Sequence, residues 1–218
     1  GTSPGGTTVT DNSVNGSDPD GSDGDNNPDE ASGTPVSFIQ NPVLGLSKRL
    51  SNGPVLLPDN SYELRYEIKV FNLGNVTLSN LGVIENLVST FSGASSWQLI
   101  GLESEEFEVN PFYTGNSITE LLAPGNTLSV AHEGAIYVTV RVSPGTADNH
   151  FDNSALGTGT SPGGTTLTDI SDDGSDPDTD NDGITNESGE NDPTPVDLPC
   201  FIGIICPSVV SPIVVDND

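Results

Sequence analysis

An all-β chain is predicted by three features of the sequence. Two segments alternate apolar with polar residues, turn signals recur between short apolar runs, and no window of useful length has helical periodicity. In residues 62–70 (YELRYEIKV), Tyr62, Leu64, Tyr66, Ile68 and Val70 share one face, and Glu63, Arg65, Glu67 and Lys69 share the other. A period of two marks a strand with one wet face. Residues 136–142 (IYVTVRV) repeat it, with Ile136, Val138, Val140 and Val142 inward. Further strands are expected at 43–50, 76–84, 96–102, 127–130, 153–158 and 165–170, separated by turns at NLGN (72–75), APGN (123–126) and SPG (143–145). Seven or more short strands with regular turn signals indicate an immunoglobulin-like sandwich. Trp97 and Phe91 are read as core or rim packing.

Charge divides the chain. It holds 218 residues, with 32 acids against 5 bases and a net charge of −27. All five bases (Lys48, Arg49, Arg65, Lys69, Arg141) fall between residues 38 and 152, alongside twelve acids. Two flanking stretches carry acids alone: seven in residues 11–30 and nine in residues 172–196. This balance disfavours nucleic acid, whose phosphates need Lys and Arg, and anionic lipid. It favours cations. No run approaches the roughly 20 apolar residues that span a bilayer. The absence of an initiator Met and of a leader reads as a mature product or an excised piece.

The flanks are related to each other. TSPGGTTVTDNSVNGSDPD (2–20) matches TSPGGTTLTDISDDGSDPD (160–178) at fifteen of nineteen positions. Each copy then runs through acids to TPV, at 34–36 and 194–196, so the spacing grows from 158 to 160 residues. Such a period exceeds the 20–50 residues of a solenoid unit and fits a whole β domain with its linker. Residues 1–33 are therefore expected to be the closing strand and acidic linker of a preceding repeat. Residues 38–171 would be the sandwich and 172–198 an acidic linker. Residues 199–218 would be a C-terminal segment or the start of another module.

The segments LGLSKRL, YELRYEIKVFNLGNVTLSNLGVIENL, APGNTL and YVTVRV resemble the Ig-like tandem repeat of large bacterial surface proteins. The closing DISDDGSDPDTDNDG…NESGENDPTPV is similar to linkers of the Bacteroidota version, in giant adhesins of the gliding-motility type. Over residues 38–198 the resemblance implies export by the type IX route, display at the cell surface in tandem arrays, and neighbouring repeats as partners. Residues 199–218 depart from the pattern.

Alternating aspartates suit calcium, which takes six to eight oxygen ligands, Asp being the shortest side chain to supply a charged one. Asp178-Thr-Asp180-Asn-Asp182-Gly183 fits the first half of a D-x-[DN]-x-[DN]-G loop. The second half departs, because the place of the closing Glu is taken by Gly189, with Glu187 and Glu190 close by. No amphipathic helix flanks the loop, so a helix-free calcium site is expected. Its candidate ligands are Asp176, Asp178, Asp180, Asp182, Glu187 and Glu190. The first copy offers Asp18, Asp20, Asp23, Asp25 and Asp29 in a shorter, less regular arrangement. The competing reading is a solvated acidic spacer. With metal bound, the acids would become ligands and fix the angle between successive domains.

Lys48 falls on the inward side of its strand if Leu44, Leu46 and Leu50 face the core. Two readings stand: a bulge or a stem snorkelling at the sheet edge, or an intramolecular Lys–Asn isopeptide bond with Asn153 as acceptor and Glu67 as helper. Cys200 and Cys206 bracket FIGII; a local disulfide or two buried thiols are the alternatives. His132 and His150, beside Glu133 and Asp152, form no nucleophile or metalloenzyme motif. Glu103, Glu105, Glu106 and Glu108 are read as a solvated strand or loop, since a glycosidase pair needs a defined separation across a cleft.

The expectation is a non-enzymatic structural or adhesive repeat of a secreted or surface filament, with calcium-rigidified linkers and an unidentified surface or glycan ligand. The rival is a fibre subunit joined to other copies by strand addition, through residues 7–12 or 207–215. A carbohydrate-binding module has thin support, because the 12 aromatics fall largely on inward positions.

Overall fold

A computed structural model describes residues 1–10, 13, 15–17, 33–145 and 149–199. The chain divides into two compact units, Gly1–Ile39 and Gln40–Asp218. In the first, Thr2 pairs with Thr8 in an antiparallel bridge. The turn between them is closed by Gly6 N–H donating to Ser3 O at 2.8 Å and Thr7 N–H donating to Ser3 Oγ at 3.1 Å. Thr34, Pro35 and Val36 lie outside any strand, and Val36, Phe38 and Ile39 are exposed.

Among its described residues the second unit is almost entirely β. Its strands are β1 (Leu44–Leu56), β2 (Tyr62–Asn72), β3 (Leu78–Ile84), β4 (Ser96–Ser104), β5 (Thr127–Leu128) and β6 (Glu133–Ser143). They continue with β7 (His150–Asn153), β8 (Leu156–Thr160), β9 (Thr166–Ile170), β10 (Asp172–Asp173) and β11 (Thr194–Asp197). One sheet runs β10-β1-β2-β6-β4, a second runs β5-β3-β8-β9, and β11 pairs with β7. All pairings are antiparallel except β1 with β10.

The alternation in β2 and β6 is realised residue by residue. Tyr62, Leu64, Tyr66, Ile68 and Val70 are buried, as are Ile136, Val138, Val140 and Val142. In register, Leu64 faces Val140 and Ile68 faces Ile136, so one apolar face forms across both strands. Each such side chain contributes about 1.5–3 kcal/mol by leaving water. Leu78, Leu81 and Val83 from the second sheet join the same core, with Phe91 buried and Trp97 packed at its margin. The two sheets approach closely at Gly157 of β8. A Cβ there would stand 2.2 Å from Leu46 Cδ1 of β1, so only glycine fits.

The turns rest on side-chain amides. Asn72 Nδ2 donates to Val76 O at 2.9 Å and Leu128 O at 3.0 Å, while its Oδ1 accepts from Gly74 N–H at 3.1 Å. Asn126 Nδ2 donates to Ala123 O at 2.8 Å and Glu108 O at 2.9 Å. Four of the five basic residues form ion pairs on the outer face of the first sheet. Arg65 meets Glu103 and Lys69 meets Glu133, both at 2.6 Å, Arg141 meets Glu63 at 3.5 Å, and Arg49 meets Glu67.

Between β3 and β4 the chain makes one helical turn, α1 (Leu87–Thr90), absent from the sequence reading. Asn86 caps it, accepting from Ser89 N–H at 3.1 Å.

Candidate metal centre

The acidic segment set apart in sequence as a linker is tied to the second unit at both ends. β10 runs beside β1, pairing Ser47 with Asp172 and Lys48 with Asp173. β11 pairs with β7, from Thr194–Asn153 to Asp197–His150. Between these anchors the loop touches β1 again. Thr185 Oγ donates to Leu44 O at 2.5 Å, Thr194 Oγ donates to Lys48 O at 2.8 Å, and buried Pro177 lies against Gly45. The segment is a clasp over the first strand.

Within the clasp the aspartates turn the backbone around themselves. Asp182 N–H donates to Asp178 Oδ1 and to Asp180 Oδ1, both at 3.1 Å, and Gly183 N–H donates to Asp178 Oδ2 at 3.1 Å. Gly183 has φ +84°, the left-handed conformation that closes this turn without a Cβ penalty. Asp178, Asp180 and Glu190 then offer carboxylate oxygens that all lie within 4.8 Å of one another. Asp180, Asp182 and Glu187 form a second such group, sharing Asp180. These acidic groups can hold a metal ion.

Glu190 separates this arrangement from a solvated acidic run. It is 3% exposed, and its Oε1 accepts from Thr179 Oγ at 3.2 Å and Asp180 N–H at 3.3 Å. Its Oε2 is buried with no hydrogen-bond partner among the described residues. A buried carboxylate oxygen left unpaired is costly. The electrostatics around it point the same way. The Asp182 carboxylate, followed by burial and then Asp180, Glu190 and Asp178, raises Glu187 above the usual carboxylate range.

Sequence reasoning missed two acids, one beneath the clasp and one in its first anchor. Asp169, in β9, is fully buried; its Oδ2 accepts from Leu46 N–H at 2.5 Å and its Oδ1 has no hydrogen-bond partner among the described residues. Burial pushes its carboxyl up to about 8 against the pull of the Leu46 and Ile170 N–H groups, with Glu190 adding to the rise. Asp172 accepts from Asp192 N–H at 3.1 Å and is also raised, chiefly by burial. Alternation from Leu167 placed Asp169 inward, and that was the available signal.

Of the other predicted ligands, Asp176 lies apart from both groups; its Oδ1 accepts from Asp178 N–H at 3.2 Å and shapes the turn. Asp18, Asp20, Asp23, Asp25 and Asp29 lie outside the described residues, as do Cys200 and Cys206.

Lys48 is inward and fully buried, and Asn153 joins it from β7. Glu67 is not their companion. It stands on the outer face, where Arg49 and Tyr137 Oη (2.9 Å) bind it, because its place in the β2 alternation points away from the core. Glu85 takes the inward position, with Oε1 2.5 Å from Lys48 Nζ and 2.8 Å from Asn153 Nδ2. The alternation Leu81, Val83, Glu85 carries that signal past the end of β3.

His150 sits between Asp197 Oδ1 (2.8 Å from Nδ1) and Asp152 Oδ1 (3.2 Å from Nε2) at the surface. His132 Nδ1 lies 3.0 Å from Val130 O. Comparison with protein-family models finds no match to this chain, and comparison with curated proteins finds no relative.

Proposed function

We propose that the chain is a fragment of a tandem Ig-like array, a non-enzymatic structural or adhesive repeat exposed on a bacterial surface or filament, and that calcium occupies the clasp. The buried, unpartnered Oε2 of Glu190, beside Asp178 and Asp180, carries the calcium reading. An all-oxygen donor set with several carboxylates and loop flexibility suits calcium over zinc, which prefers sulfur and nitrogen. Because the clasp is tied to β1 and β7, the cation fastens the loop to its own domain and holds the closing strand β11 in place. This reading replaces a switch of inter-domain angle with a lock inside the domain.

The repeat reading is supported by the first unit, whose Thr2–Thr8 pairing recurs 158 residues later as Thr160–Thr166. Surface display, type IX export and gliding motility rest on the sequence resemblance alone. Joining of copies by strand addition has one supporting observation. Thr34–Pro35–Val36 lies outside any strand, while the same tripeptide at 194–196 pairs with β7. Size measurement separates the readings, since a strand-exchanging subunit polymerises and an array fragment stays monomeric.

The test of calcium is thermal melting with calcium and with a chelator, alongside calorimetric titration. At a hundredfold excess over Kd, a native-state ligand adds about 2.7 kcal/mol, which raises the midpoint by roughly 5–10 °C for a domain of this size. Magnesium should give a smaller rise, being reluctant to shed water. An unchanged midpoint together with no heat of binding removes calcium from the account.

A further inference from the structure

Lys48, Glu85 and Asn153 form an enclosed polar group that the metal centre does not use. All three are fully buried. Lys48 comes from β1, Glu85 follows β3, and Asn153 ends β7, so the group bridges elements far apart in sequence. One carboxylate oxygen touches both nitrogens, at 2.5 Å from Lys48 Nζ and 2.8 Å from Asn153 Nδ2. The two nitrogens are therefore no further apart than those two bonds laid end to end. Thr90 Oγ stands 3.0 Å from Asn153 Oδ1, closer than its other acceptor, Asn86 O, at 3.3 Å. Thr90 thus donates to the carbonyl oxygen of the same amide.

As a plain ion pair this arrangement is incomplete. Glu85 Oε2 is buried without a hydrogen-bond partner among the described residues. Lys48 Nζ lies 5.0 Å from the centroid of the Tyr66 ring. Two charges withdrawn from water repay their desolvation only when the remaining donors and acceptors are satisfied. As a reaction site the same features fit together. We propose that Lys48 Nζ and Asn153 Cγ become joined in an intramolecular amide bond, with Glu85 carrying the protons.

The steps balance without a co-reactant. Glu85 takes a proton from the Lys48 ammonium and frees the nitrogen lone pair. Nζ attacks Cγ of Asn153, placing negative charge on Oδ1, where the Thr90 hydroxyl stabilises it. Glu85 hands its proton to Nδ2, the Cγ–Nδ2 bond breaks, and ammonia departs. The second proton shed by Nζ passes through Glu85 and leaves with the ammonia as ammonium, so the carboxylate is restored. No group is oxidised or reduced. Burial supports the chemistry twice: it lowers the Lys48 pKa towards the neutral, nucleophilic amine, and it keeps out the water that would compete for Cγ. Neither step needs the metal, so failure of calcium binding leaves the inference standing.

The experiment is the intact mass of the full chain, reduced and denatured, followed by proteolysis and fragment sequencing. The expected result is a mass short by one ammonia and a branched peptide joining residue 48 to residue 153. Asn15-Gly16 and Asn52-Gly53 can also lose ammonia by succinimide formation, so a mass deficit with only linear peptides overturns the proposal. The full sequence mass after prolonged warming at neutral pH overturns it as well. Glu85→Gln and Asn153→Ala should both restore the full mass, and Asn153→Ala should melt on the order of 10 °C lower. Should Glu85→Gln fail to fold, the branched peptide of the unaltered chain decides.

Discussion

The same heptapeptide, TSPGGTT, occurs at residues 2–8 and 160–166, and the two copies share a turn but not a setting. At the first, Gly6 N–H donates to Ser3 O at 2.8 Å; at the second, Gly164 N–H donates to Ser161 O at 2.9 Å. The serine hydroxyls accept from Thr7 and Thr165 at the same 3.1 Å, and the glycines have φ +82° and +83°. Only the second copy extends into a sheet, as β8 and β9 beside β3. The TPV tripeptides differ likewise: Thr194–Val196 is a strand because β7 receives it, and Thr34–Val36 is not. The turn is encoded locally, and the strand is supplied by its neighbour.

That contrast can be broken most strongly at the neighbour. Gly157→Val should drive a side chain into Leu46 and lift β8 from β1, since the first carbon alone would lie 2.2 Å away. Overpacking of this kind costs about 1–3 kcal/mol or more, read from denaturant unfolding. The hairpin at 2–8 should keep its nuclear magnetic resonance signature.

Next in size is Asp180→Ala, which removes the carboxylate common to both acidic groups. It should abolish the calcium-dependent rise in melting midpoint, about 5–10 °C at saturation, while the chelator baseline stays within a degree or two.

A pH-dependent effect separates the clasp from Asp169 beneath it. In chelator, Asp169 is held at about 8 in the folded chain against 3.8 as its ordinary value. The native state then binds the extra proton between those values. Asp169 therefore contributes stability below about pH 4 that is lost as pH rises through 8. Asp169→Asn should flatten this slope, melting higher than the unaltered chain at pH 8 and level with it near pH 4. Parallel melting curves at both pH values would contradict that account.

The finest comparison uses the two glycines. Gly6→Ala and Gly164→Ala impose the same left-handed strain, about 1 kcal/mol. Only the second should lower the melting midpoint, because only that hairpin belongs to the large cooperative unit.

Strand alternation made much of this legible. Tyr62 to Val70 and Ile136 to Val142 declare their inward faces, and the same parity puts Lys48, Glu85 and Asp169 indoors. Reading Glu67 as a helper ignored that parity, which turns it outward to Arg49 and Tyr137. The clasp was not legible because its anchors are bonds from side chains to distant carbonyls, Thr185 to Leu44 and Thr194 to Lys48. No local pattern encodes which carbonyl a threonine will meet. The aspartate spacing did announce the turn, and the closing Glu190 was named as a candidate. Its burial depends on the chain returning to β1, which is a property of the fold.

The repeated hairpin also bears on how such a chain changes length. The recurring segment takes in the hairpin and the acids after it, whereas the second folding unit begins near Gln40. A genetic crossover between equivalent points of the two copies deletes or inserts 158 residues, one period. The joint falls in a turn that both copies close with the same bonds. In an array of the kind proposed, unequal recombination at this point would change the length by one whole period. A longer array shortened in this way should lose one melting unit and leave the others unchanged.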